Sequence, residues 1–207
     1  MTEAGTPSLR RRECCILTGV DDPFDFPVLR IQQPGKLLAN RVSYEIFNDQ
    51  RQLLAVAAET EARGRRESLS KPAPDARVLE VTTAAREPVL TLTKHTRPRM
   101  AELHGPAGEL IGRIRATNIN RHYALLGGQG ETLGKVAGDL ALKHFSVTSA
   151  ARAEFARVRK TWAGLAKEML TPADHYKIEF TSPVSPPARM LTVMMAIVLD
   201  LTLYEPA

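Results

Sequence analysis

At 207 residues, 43% hydrophobic and 25% charged, the chain has the make-up of a folded protein with material for one core of ordinary size. Its two cysteines, Cys14 and Cys15, are adjacent, which excludes a disulfide framework and a cysteine zinc site. The net charge of +5 is spread, with 16 basic and 13 acidic residues up to position 100, so there is no tail of one sign. Such an excess suits an anionic surface, lipid or nucleic acid.

Residues 1–27 read as an N-terminal arm of Gly, Ser, Pro and charges, set before a single domain over 28–207. The basic triplet at 10–12 precedes no apolar secretory run, so a cytoplasmic location is expected. From Val28 the pattern changes to short β-friendly runs divided by turn residues. A first strand is expected at Leu29–Gln33. A hairpin should follow, with Tyr44 and Ile46 on one arm, a turn at 48–51, and 53–57 on the other. A charged stretch over 59–75 reads as a loop.

Beyond that loop the chain repeats with a period of 22 residues. Leu79, Ala101, Tyr123 and Phe145 form one apolar series, Val81, Leu103, Leu125 and Val147 a second, and Val89, Ile111, Leu133 and Phe155 a third. The string GELIGRI at 108–114 returns as GETLGKV at 130–136. Between the second and third series lie turn-formers at 84–88, 105–108, 127–130 and 149–152, so each unit reads as a β-hairpin. Positions 112, 134 and 156 hold Gly, Gly and Ala beside larger apolar residues at 114, 136 and 158, a face with room for something to pack against it. If that face points inward, Ile111, Leu133 and Phe155 point outward unless a bulge shifts the register, and a Gly inside a strand marks where bulges occur.

A last strand is expected at His175–Phe180, which brings the count to about a dozen. Pro186 to Glu205 then forms an apolar helix interrupted by Thr192, Asp200 and Thr202. A helix apolar on all sides must be buried on all sides. Its length and its Asp favour a core helix over a membrane span. Consecutive hairpins favour an up-and-down order, and closing the sheet removes its edges. The expected fold is therefore mainly β: a twelve-stranded antiparallel closed barrel around a buried hydrophobic C-terminal helix.

No catalytic constellation stands out. The Gly-rich 127–130 stretch is not followed by a helix, as a dinucleotide site requires. Ser68 and Lys71 make an isolated S-x-x-K string, and His95, His104, His122, His144 and His175 are scattered without metal spacing. The basic residues are more suggestive. Arg113, Lys135 and Arg157 recur at the repeat period, with Arg115 and Arg159 two residues beyond the first and last. They would form a stripe on the outer face, either meeting lipid phosphates or simply solvating the sheet. Nucleic-acid platforms interleave aromatics with basic residues, and aromatics are only 5% here, so no nucleic acid is expected.

Three segments carry a resemblance: 162–169 (WAGLAKEM), 173–180 (ADHYKIEF) and the helix end 197–205 (IVLDLTLYE). In this order they are similar to the C-terminal part of the phospholipid scramblases and to the LURP-one-related proteins, both of the Tubby C-terminal-like superfamily. The resemblance implies the barrel-and-helix fold reached above. It also implies phospholipid or phosphoinositide binding at a membrane surface, without enzymatic activity or cofactor. A protein-interaction module without lipid affinity and a true scramblase are the alternatives. The family's acidic calcium segment keeps Asp174 here, but Pro172 and Pro183 take places that are acidic in the family. Calcium favours about 6–8 oxygen ligands, so no metal is expected.

Overall fold

The computed structural model describes residues 23–34, 42–60, 76–97, 99–118, 121–161 and 175–203. Twelve antiparallel strands close into one barrel in which every strand pairs with its neighbours in sequence, and β1 (Val28–Gln32) pairs with β12 (His175–Phe180) to complete the ring. The first strand thus runs one residue earlier than its hydrophobic pattern indicated. Between them come β2 (Ser43–Asn48), β3 (Leu53–Glu59), β4 (Ala76–Thr83), β5 (Pro88–His95) and β6 (Met100–His104). The remainder are β7 (Leu110–Asn118), β8 (His122–Gly127), β9 (Thr132–Gly138), β10 (His144–Ser149) and β11 (Glu154–Thr161). Closure leaves no unpaired sheet edge, the exposed feature most prone to aggregation.

Five hairpins, β2–β3 through β10–β11, share one turn. The amide of its first residue donates to the carbonyl four positions on, and the amide of its fourth donates back to the first, as in Gly105 to Glu109 (2.8 Å) and Gly108 to Gly105 (2.9 Å). This is a type I turn followed by a left-handed residue. That residue is Gly108 or Gly130 in two hairpins, but Arg51, Arg86 and Arg152 in the others, at φ of 63°, 67° and 65°.

The repeat's register puzzle resolves at the same place. In each of these hairpins one residue drops out of the ladder: Leu54, Val89, Ile111, Leu133 and Phe155. The bulge lets two consecutive side chains lean to the core side, so Phe155 and Ala156 are both buried. Val89, Ile111 and Leu133 are partly buried against the core. A bulge also bends its strand and adds twist, which a sheet needs in order to close.

Helix α1 (Pro186–Leu203) fills the barrel, with Leu191 through Leu201 buried on all sides. It is long and apolar enough to cross a membrane by composition, yet here its apolar surface is covered by the strands. Ser185 accepts the first intrahelical bond from Arg189 (3.0 Å), and Pro186 and Pro187 occupy the first turn, where a missing amide costs nothing. Tyr204 and Glu205, read as part of the helix, lie outside the described residues. The helix runs closest to β7, β8 and β1. Gly112 on β7 permits this approach, because a Cβ there would press on the Leu126 carbonyl and lie 3.0 Å from Leu191 Cδ1.

Each polar side chain on the helix run has a partner. Thr192 and Thr202 donate to carbonyls one turn back, at 2.7 and 2.6 Å. Asp200, fully buried, accepts from Tyr44 on Oδ2 (2.9 Å) and from Tyr176 on Oδ1 (3.1 Å). The helix therefore enters at the end carrying the five tight turns and is pinned by Asp200 at the opposite end, where the longer connections lie. At the turn end, Phe24 is fully buried. The Arg189 guanidinium donates to the Phe24 and Phe26 carbonyls at 3.1 and 3.0 Å and stacks on the Phe180 ring.

Candidate functional site

Strand alternation fixes which side chains leave the barrel. On β11, Phe155, Ala156 and Val158 are buried, so Arg157 and Arg159 project outward. On β12, Tyr176 and Ile178 are buried, which turns Lys177 and Glu179 out; on β1, Leu29 and Ile31 do the same for Arg30. The ladder then aligns three of these cations. Arg159 sits opposite Lys177, and Lys177 opposite Arg30. His144 on β10 extends the row, opposite Arg159.

Like charges set directly opposite each other destabilise a sheet. Here carboxylates are threaded between them. Lys177 Nζ lies 2.7 Å from Glu179 Oε1 and Arg159 Nη1 3.8 Å from Glu179 Oε2. Arg30 Nη2 lies 2.8 Å from Asp49, and Arg157 Nε 2.6 Å from Glu154. The hydrogen bond from Lys177, helped by the charges of Lys177, Arg159 and Arg157 against opposing burial, holds the Glu179 carboxyl below its usual range. Exposed ion pairs are worth about 0–1 kcal/mol. A Lys or Arg at an anionic lipid surface gains about 1 kcal/mol. The internal pairs therefore do not lock these cations away from an outside anion.

Beside the row is an open hollow of about 480 Å³, with Arg157, Arg159, His144, Ser146, Glu154 and Asp139 among its lining. At its rim Asp139 is partly desolvated, which raises its carboxyl. Amides of Lys143 and His144, at 2.9 and 3.3 Å, outweigh that and hold it below the usual range.

All five basic residues anticipated from the sequence face outward, but they do not make one row. Arg115 is opposite Ala124 and Ala124 opposite Lys135, so those two cations share a level. Arg157 shares its level with Ser146 and Ala137 instead, two residues along from Lys135. Successive members of the Arg113, Lys135 and Arg157 series climb obliquely, about 12 Å apart from strand spacing and rise. Arg113 is also engaged by Glu102 at 2.8 Å, with His95 on the other oxygen at 3.5 Å. The Arg113 hydrogen bond is the main cause that holds Glu102 below the usual carboxylate range, against opposing burial.

Arg30 and Lys177 were the residues missed. The alternation of β1 and β12 marks each as outward, but nothing local says that the first and last strands are neighbours. Asp174 lies outside the described residues. Among the described residues no cluster of three or more His, Cys, Asp or Glu could hold a metal ion.

No curated protein matches this chain. A family model does: the model described as Scramblase matches residues 38–206, from before β2 to beyond the end of α1. With the match spanning the hairpins, the closing strand and the central helix together, the chain belongs to the Scramblase family.

Proposed function

We propose that this chain is a non-enzymatic module that binds anionic phospholipid at a membrane surface, through the outer face of β10, β11, β12 and β1. The observation that carries the reading is the aligned row of Arg159, Lys177 and Arg30, with Arg157 and the hollow beside it. Three or four such cations contribute together about 3–4 kcal/mol against an anionic leaflet, enough for reversible peripheral attachment. Kinship with Tubby-type phosphoinositide binders and a cytoplasmic, peripheral location belong to the same proposal. Lipid transfer between leaflets is the weaker reading for the isolated barrel, because its interior is occupied by α1.

Vesicle co-sedimentation tests this. The chain should pellet with vesicles containing phosphatidylserine, not with pure phosphatidylcholine, and binding should fade as salt shortens the reach of charge. Replacing Arg30, Lys177 and Arg159 together by Glu should abolish it. Binding that survives this triple change, or that is equal on neutral vesicles, sinks the assignment and favours a protein-interaction module.

A further inference from the structure

At the end of the barrel opposite the tight turns, the inward-facing positions change from apolar to cationic. Arg77 precedes Leu79 on β4, Lys94 follows Leu92 on β5, Arg99 precedes Ala101 at β6, and Tyr123 precedes Leu125 on β8, each two residues from a fully buried core side chain. The ladder joins them into an arc. Arg77 is opposite Lys94, Lys94 is opposite Ala101, the Ala116 amide donates to the Arg99 carbonyl at 3.1 Å, and Ala116 is opposite Tyr123. Burial, with the charges of Arg77 and Arg99, pulls the Lys94 ammonium below its ordinary value. Glu59 lies 3.9 Å from Arg77 Nε, a long ion pair, and its other oxygen accepts the Val42 amide at 3.3 Å.

A second observation is independent of the cations. Tyr123 is 3% exposed, and its hydroxyl is buried with no hydrogen-bond partner among the described residues; the Nε of Arg121, on the same inward side, is in the same condition. An orphaned buried donor costs about 1–3 kcal/mol. Burial pushes the Tyr123 phenol up to about 12, so it keeps its proton and remains a donor.

We infer that this arc of Arg77, Lys94, Arg99 and Tyr123 is a binding site for a phosphate-class anion at the mouth of the barrel, separate from the outer face. A phosphate oxygen accepts from every donor present, and guanidinium groups match its geometry. It would also reverse the charge repulsion at Lys94, so binding should be accompanied by proton uptake at alkaline pH.

The experiment uses the full chain, with pyrophosphate as probe. Amine acetylation read by mass spectrometry should slow at Lys94 when pyrophosphate is added, relative to Lys135 on the outer face. By calorimetry, Tyr123→Phe and Lys94→Met should each weaken pyrophosphate binding about tenfold, the equivalent of one hydrogen bond to a charged group, while Arg86→Gln, in an exposed tight turn at the other end of the barrel, leaves it unchanged. If Lys94→Met does not fold, the labelling of the native chain and the Tyr123→Phe titration decide. Vesicles of phosphatidic acid that protect Lys94 would identify a lipid head group as the source; protection by pyrophosphate alone would identify a soluble anion. Lys94 labelling indifferent to every phosphate, protection by neutral phosphatidylcholine, full-strength binding in Tyr123→Phe, or loss of binding in Arg86→Gln would each overturn the site.

Discussion

The clearest single test of the architecture is the buried contact that fixes the far end of the helix. Tyr44 on β2 and Tyr176 on β12 reach opposite oxygens of Asp200. Tyr→Phe removes a hydroxyl and almost no volume, so no cavity cost enters and the change isolates the hydrogen bond. Each loss should cost about 2 kcal/mol for a buried bond to a carboxyl. At about 2–4 °C per kcal/mol for a chain this long, the midpoint falls by about 4–8 °C per substitution. Because both hydroxyls serve one side chain, the double variant should depart from the sum of the singles by about 0.5 kcal/mol or more. Tyr123→Phe is the internal control: its hydroxyl lacks a partner among the described residues, so its removal should leave the midpoint unchanged or raise it. Differential scanning calorimetry of the four variants decides. If Tyr44→Phe and Tyr176→Phe cost no more than Tyr123→Phe, Asp200 is not the anchor of the helix.

Other outcomes follow from the same geometry. Replacing Arg51, Arg86 and Arg152 by Gly relieves three left-handed non-glycine residues; together they should raise stability by about 1–3 kcal/mol in urea unfolding. Gly112→Ala should destabilise by about 1–3 kcal/mol, since the added methyl meets the Leu126 carbonyl and the helix at Leu191. Thermal stability should decline on acidification below the ordinary Glu value of 4.5, because Glu102 and Glu179 titrate lower in the folded chain than in the unfolded one. That contribution is present above the unfolded value and is lost as pH falls through the folded one. Glu102→Gln with Glu179→Gln should flatten the acid limb of a midpoint-versus-pH curve; an unaltered limb would remove both carboxylates from the account.

What could be read from residues alone was whatever depends on near neighbours along the chain. The 22-residue repeat marks the hairpins, because strand alternation and a three-residue turn are local. The position of the bulge was legible too, as a conflict between the Gly at 112 and 134 and the apolar residue before each. Likewise the helix announces its burial, since an all-round apolar surface has no other stable environment. The outward cations of the repeat were identifiable one by one for the same reason. Two matters were decided only by the closed structure. One is the pairing of β1 with β12, which sets Arg30 beside Lys177 although 147 positions separate them. The other is the arc of side chains at the barrel mouth, where Arg77, Lys94 and Tyr123 come from three strands and Arg99 from the turn before β6. Both depend on which strands become neighbours and on how bulges stagger the ladder around the barrel, and these are properties of closure that no single segment of sequence carries.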